Sequence, residues 1–151
     1  MKVVTDSAAK TRKLGGIFAR EALKTIRGNA MPHALIISLE GNLGSGKTTF
    51  AQGFARGLGI AGKVLSPTFV LLKRYGLRGH RAFFHIDCYR LARSRDLGAL
   101  GFGDIVKDPR AIVLIEWGDR ARRLLPKHRF TVKFSHSGGN RRRISIFSSP
   151  R

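Results

Sequence analysis

The chain has 151 residues, enough to bury a core as one domain spanning residues 1–151, and its hydrophobic fraction of 42% is ordinary for a globular protein. Its 29 Lys and Arg against 9 Asp and Glu give a net charge of +20 at pH 7, a surface that attracts anions, with nucleic acid the obvious class and a generally basic protein from a basic-biased proteome the equal alternative. One cysteine, Cys88, excludes an internal disulfide and a zinc cluster; charged residues interrupt any N-terminal leader, and no apolar run nears the ~20 residues that span a bilayer, so a soluble cytoplasmic protein is expected.

In chain order, residues Ser7 to Thr25 place Leu14, Ile17, Phe18 and Leu23 at helical spacing. Asp6 or Ser7 can cap this helix, and Gly28 and Pro32 end it. Ala34 to Leu39 is a short apolar run that reads as a buried parallel strand. A glycine-rich loop follows Glu40, and Lys47 to Leu58 reads as a helix stopped by Gly59. Further strands are predicted over Thr68 to Tyr75, Ala82 to Ile86 and Ala111 to Ile115. A helix over Ser94 to Leu100 is expected between the last two, and a short one over Arg120 to Leu125 before Pro126. Phe130, Val132 and Phe134 alternate, a Ser-Gly-Gly-Asn turn follows, and Ile144 and Ile146 alternate again, which predicts a hairpin.

The loop Gly41-Asn42-Leu43-Gly44-Ser45-Gly46-Lys47-Thr48 fits Gly-x-x-x-x-Gly-Lys-[Ser/Thr] in full, between a strand and a helix. Gly41 and Gly46 permit backbone turns closed to other residues, and Gly44 removes a side chain where phosphate approaches. Backbone N–H groups then face inward at the positive end of a helix. Lys47 supplies a charge for β- and γ-phosphates, and the Thr48 hydroxyl can ligate magnesium. A second carboxylate is expected at the end of a buried strand, and two qualify: Asp87 after Phe83-Phe84-His85-Ile86, and Glu116 after Ala111-Ile112-Val113-Leu114-Ile115. Either can hold the metal while the other orients the attacking water; the bland alternative is a carboxylate that caps its strand. His85 reads as a partly buried histidine bonded to neighbouring backbone, and Cys88 and Trp117 as packing residues. Arg90 reads equally as a charge stabiliser or as an ordinary surface arginine. The predicted fold is α/β, a P-loop NTPase-like three-layer sandwich with a mixed, mainly parallel sheet and a C-terminal antiparallel hairpin.

Three further segments give this loop a family context. Gly41 to Thr49, Ser66-Pro67-Thr68-Phe69, His85-Ile86-Asp87-Cys88-Tyr89-Arg90-Leu91 and Glu116-Trp117, in this order and spacing, resemble the TsaE (YjeE) family, a bacterial ATPase of tRNA threonylcarbamoyladenosine biosynthesis. The resemblance implies weak magnesium-dependent ATP hydrolysis and work with the TsaB and TsaD proteins, whose complex it resets between turnovers. Carried over, Lys47 binds phosphate and acts in catalysis with Asp87 and Glu116. Thr48 and Glu116 hold magnesium, and Asp87 positions metal or water. Residues 41–49 and Thr11 contact the nucleotide, and Ser66, Pro67, Thr68 and Phe69 form a switch-like loop. Asn42 stands where the family usually has Asp, and Phe69 replaces the usual Tyr. If that Asp served as a base, hydrolysis here is slower; if it shapes the loop, little changes.

Two other readings remain open at this point. A small-molecule kinase with a P-loop would use an arginine-rich lid, which Arg120 to Arg123 imitates. A nucleotide-dependent nucleic-acid binder, reaching tRNA indirectly or through its basic surface, would use Arg141-Arg142-Arg143 beside the Gly-Gly turn. The absence of an Asn-Lys-x-Asp guanine signature leans towards ATP.

Overall fold

The computed structural model describes residues 1–28, 31–62, 71–91 and 93–149. Seven strands form one sheet: β1 (Lys2–Thr5), β2 (Leu35–Glu40), β3 (Leu72–Leu77), β4 (Arg81–Asp87), β5 (Ala111–Glu116), β6 (Phe130–His136) and β7 (Arg142–Ser148), in spatial order β1-β7-β6-β2-β5-β4-β3. Strands β6, β2, β5 and β4 are mutually parallel, β1 runs with them, and β7 and β3 run against them. This is the mixed, mainly parallel sheet expected, closed by the predicted antiparallel hairpin.

Helices cover the sheet in two groups. Helices α1 (Ala8–Gly28) and α2 (Lys47–Gly57) pack on one face, over Leu35, Ile37, Leu39, Phe83, Ile112, Leu114, Val132 and Ile144. The other face buries Ala34, Ile36, Ile86, Val113 and Ile115 under α3 (Ser94–Ala99), α4 (Phe102–Lys107) and the segment bearing Ala121 and Leu125. Alternate residues of β2 thus enter different cores, as a period of two requires. That is why β2 and β5 read as unbroken apolar runs: both faces are covered.

The α1–α2 contact runs backbone to backbone. A Cβ at Gly53 would lie 1.9 Å from the Arg12 carbonyl oxygen, one at Gly15 2.3 Å from that of Phe50, and one at Gly57 2.5 Å from that of Gly16. These glycines let α1 lie directly over the helix that leaves the phosphate-loop motif. Phe18, Phe50, Phe54 and Phe83 fill the flanks with ring centroids 5.8–6.5 Å apart.

The predicted ends of α1 and α2 hold. The Ser7 hydroxyl accepts the Lys10 N–H at 3.2 Å. After α2, left-handed Gly59 donates to Arg56 O at 2.9 Å and Ile60 donates to Ala55 O at 3.1 Å, a Schellman stop.

Several expectations are corrected. The strand placed over Thr68 to Tyr75 is β3, at Leu72–Leu77; residues 63–70 lie outside the described residues. The helix placed at Arg120 to Leu125 is a 3-10 turn over Gly118–Ala121, drawn forward because the chain reverses immediately after Glu116. Strand β1 and helix α4 were not anticipated. β1 is four residues long and exists by pairing with β7, while α4 is flanked and interrupted by Gly101 and Gly103.

Candidate functional site at the strand tips

The parallel strands β2, β5 and β4 end side by side, and their last residues are polar and buried: Glu40, Glu116 and Asp87. Burying such groups is costly unless they are paired, so their partners define the site. Glu116 is 1% exposed. Its Oε1 accepts the Thr48 hydroxyl at 2.7 Å, and its Oε2 lies 2.8 Å from His85 Nε2. Donation from Nε2–H leaves His85 Nδ1 as a buried acceptor without a partner among the described residues. His85 is therefore fully buried and bonded to a carboxylate, not partly buried and bonded to backbone as expected from sequence.

Asp87 pairs in register with Glu116 across the β4–β5 ladder, and its Oδ1 accepts the Tyr89 N–H at 2.9 Å. Of the two carboxylates left open by the sequence, Glu116 is the one that touches Thr48. Glu40, immediately before the loop, accepts from Ser38 at 3.3 Å and from Arg122 at 3.0 Å.

The loop from Gly41 to Thr48 lies above these tips. Gly41, Gly44 and Gly46 all have positive φ, and a Cβ at Gly41 would lie 2.5 Å from the Phe134 carbonyl oxygen. Gly46 begins α2 without a side-chain cap, so the first N–H groups of the helix are left for an outside acceptor. The Lys47 ammonium folds back into the loop. It donates to Gly41 O at 2.6 Å, Asn42 O at 2.8 Å and Ser45 Oγ at 3.3 Å, and sits 3.8 Å from the centre of the Trp117 ring. Burial lowers its pKa, and the charges of Glu116, Asp119 and Asp87 oppose that shift.

Trp117 is accordingly more than a packing residue. It holds a left-handed backbone (φ 58°), uncommon outside glycine, and a Cβ at Gly118 would lie 1.9 Å from Ser38 Oγ, so the turn is pinned against β2. Tyr89 packs on Trp117 at 4.9 Å, and Arg120 lies over both rings while donating to Tyr89 O at 2.5 Å. Arg120 and Arg122 are thus tied to the fold. Arg90 is exposed. Cys88 is packed in the second core, where burial and the neighbouring Asp87 charge push its thiol pKa up to about 12.

A cleft of about 460 Å³ opens over the loop. Leu43, Gly44, Ser45, Gly46, Lys47, Thr48 and Thr49 form its floor, Trp117 one wall, and Asp6, Ser7, Ala8 and Thr11 at the start of α1 another. Thr11 is buried there, its hydroxyl 2.8 Å from that of Thr5. Asn140, in the β6–β7 turn, and Arg142, the first residue of β7, complete the rim. Contact with the nucleotide is one of the readings open for the Arg141-Arg142-Arg143 triplet, and Arg142 meets it here; Asn140 was not anticipated, since nothing local ties a hairpin tip to a loop about 95 residues earlier, and the pairing of β6 with β2 makes the link. The switch-like segment Ser66, Pro67, Thr68 and Phe69 lies outside the described residues. Such a cleft, with oriented N–H groups, a lysine and a helix start, can hold a polyphosphate.

The donor set fits magnesium. One hydroxyl and one buried carboxylate, both oxygen, meet at the loop, and among the described residues no cluster of three His, Cys, Asp or Glu competes as a protein-only cage. Magnesium is usually held by one or two protein oxygens, with phosphate and water completing its shell. No described helix is long and apolar enough to cross a membrane.

Comparison with known proteins converges on one family. A family model described as threonylcarbamoyl adenosine biosynthesis protein TsaE matches residues 5–144. The tRNA threonylcarbamoyladenosine biosynthesis protein TsaE of Treponema pallidum is 33% identical over 146 residues, covering 97% of this chain and 99% of the relative. Its namesake from Bacillus subtilis is 39% identical over 112 residues, covering 74% and 68% respectively. Among solved structures, the crystal structure of Bacillus subtilis YdiB aligns with a TM-score of 0.76 at 26% identity, covering 99% of this chain and 86% of that one.

Proposed function

The chain belongs to the TsaE family of threonylcarbamoyl adenosine biosynthesis proteins, and from that membership we propose that it is a weak magnesium-dependent ATPase of the cytoplasm that serves tRNA threonylcarbamoyladenosine modification. The observation that carries this reading is the 2.7 Å bond between Thr48 and Glu116, which joins the phosphate loop to a buried carboxylate at a strand tip.

In this reading the polyphosphate of ATP lies along Gly41 to Thr49, with the uncapped start of α2 and the Lys47 ammonium facing it. Phosphate oxygens replace the Gly41 and Asn42 carbonyls as partners of Lys47, which lifts the ammonium from its resting place. Thr48 and Glu116 would hold magnesium, which when bound neutralises charge between the β- and γ-phosphates. His85 keeps the Glu116 carboxylate oriented from below. Asp87, one strand further on, orients the attacking water. Thr11 and the start of α1 receive the nucleoside end. Asn42, uncharged and exposed, supplies no base, in keeping with slow hydrolysis.

Hydrolysis would reset the TsaB–TsaD complex by changing the affinity of this chain for it. Ser66 to Phe69 would carry that change. The test is a pull-down with TsaB and TsaD, with and without ATP. Association that depends on ATP is expected; equal recovery in both conditions would overturn the resetting role. Rapid phosphorylation of a nucleoside or metabolite in a substrate screen would instead make the chain a kinase.

A further inference from the structure

The two faces of the sheet are not equally covered. On the face that carries α3 and α4, the packed core ends at β2 and the segment around Ala121 and Leu125; no residue of β6, β7 or β1 belongs to it. The outward residues of those three strands follow from their register. Thr131 pairs with Phe147; Lys133 pairs with Ser145, which pairs with Lys2; and Ser135 pairs with Arg143, which pairs with Val4. Paired residues share a face, and the intervening Val132, Phe134, Ile144 and Ile146 point into the α1–α2 core. The result is a face of three strands that is open except at Thr131, which is buried at the start of β6.

Its make-up is unusual for a sheet surface. Lys2, Lys133 and Arg143 are exposed, as are Val4 (56%), on the edge strand beside Arg143, and Phe147 (46%), two residues along β7 from the Lys2–Ser145–Lys133 row. Lys133 Nζ lies 5.9 Å from the Phe147 ring centre. Strand spacing puts Lys133 and Arg143 about 8 Å apart, and Lys2 about 10 Å from Lys133. No Asp or Glu occurs after Asp119, so β6 and β7 contribute none, and β1 contains none. Two carboxylates border the face: Glu40, beside Lys133, is buried and bonded to Arg122, and Asp6, immediately after β1, is exposed and paired with Lys10 at 2.8 Å. The Glu40 pairing leaves Arg122, 58% exposed, as a further cation on the border of the open face.

We infer that this face binds single-stranded RNA, with Lys133, Arg143 and Lys2 on the phosphates and one base stacked on Phe147. Two features favour RNA over a protein partner. A sheet surface whose own strands carry cations and no carboxylate matches a continuous polyanion, whereas protein interfaces are depleted in lysine around an apolar centre. An exposed ring with cations beside it on a sheet is also how bases without fixed sequence are held. The face lies outside the nucleotide cleft, so this inference stands apart from the ATPase reading.

The test is fluorescence anisotropy of a labelled oligouridylate over a range of salt, with binding of a fluorescent ATP analogue measured in parallel. The double variant Lys133→Gln, Arg143→Gln should bind RNA at least about tenfold more weakly at moderate salt, with a salt slope shallower by about 1.4, about 0.7 for each lost phosphate contact. Phe147→Ala should weaken binding and leave the slope unchanged, because stacking releases no counterion. The charge-matched control Arg74→Gln, Arg78→Gln, at the opposite edge on and beside β3, should stay near wild type. Equal losses in both double variants would reduce the effect to net charge and overturn the site. Absence of salt-sensitive binding by the wild type would overturn it too. If ATP-analogue binding persists in that case, the nucleotide reading survives alone.

Discussion

The α1–α2 interface and the tips of β2, β4 and β5 are both excluded from water, yet they are made of opposite materials. The first is glycine and phenylalanine, with helix backbones in direct contact. The second is Glu40, His85, Asp87, Glu116 and Lys47, each hydrogen-bonded by a named neighbour. Apolar close packing is what a chain does to be stable. Buried ionisable groups oppose stability, and their concentration beneath one loop is what the proposed nucleotide chemistry would require. Changes in the two regions should therefore separate: one kind should cost folding and the other function.

The largest effect is expected from Glu116→Gln. It keeps the shape and removes the charge, so magnesium-dependent ATP hydrolysis should fall by about 10²–10³, about 3–4 kcal/mol of barrier. Chemical unfolding of the same variant should show little loss. A stability loss that accounts for the missing activity would erase the distinction between the regions.

Gly53→Ala probes the other side. Alanine gains about 1 kcal/mol of helix propensity over glycine. Here the new methyl meets the Arg12 carbonyl at 1.9 Å, a rigid backbone atom. Separating the helices should win, for a net loss of about 2 kcal/mol in urea unfolding. Unchanged stability would mean that the helices do not pack this closely.

Lys47→Met sharpens the contrast through pH. Burial lowers the Lys47 pKa in the fold below its ordinary value of 10.5. Between those two values the unfolded chain carries the extra proton, so wild-type stability rises with pH relative to the variant. Below that window the charged lysine weighs fully on the fold. At neutral pH the variant should thus melt no lower than wild type, and its advantage should shrink as alkaline pH is approached. A gap that grows with pH would contradict the assigned cause.

The smallest effect concerns Cys88, buried in the second core with its thiol pushed up to about 12. Native protein at mildly alkaline pH should resist a thiol reagent, and denatured protein should react at once. Fast labelling of the native state would show that this core opens.

The sequence made parts of this arrangement legible and hid others for physical reasons. The loop, α2, β2 and β5 were readable because glycine spacing and apolar runs are local signals. Asp87 and Glu116 were readable as strand ends, but which of them faces Thr48 depends on β5, not β4, lying next to β2. The His85–Glu116 contact crosses 31 residues and the Lys47–Trp117 contact 70, so no local pattern could announce either. β1 was illegible because four residues gain strand structure only from β7, at the far end of the chain. The open basic face was half legible. Its charge could be read, while the gathering of Lys2, Lys133, Arg143 and Phe147 on one face needed the register.

The central claim is that Gly41 to Thr48 form an ATP site that depends on Lys47. Calorimetric titration of ATP with magnesium into wild type and Lys47→Ala tests it most directly. The account predicts saturable binding by wild type and none detectable in a variant that melts as a folded protein. Normal ATP binding by Lys47→Ala would contradict it.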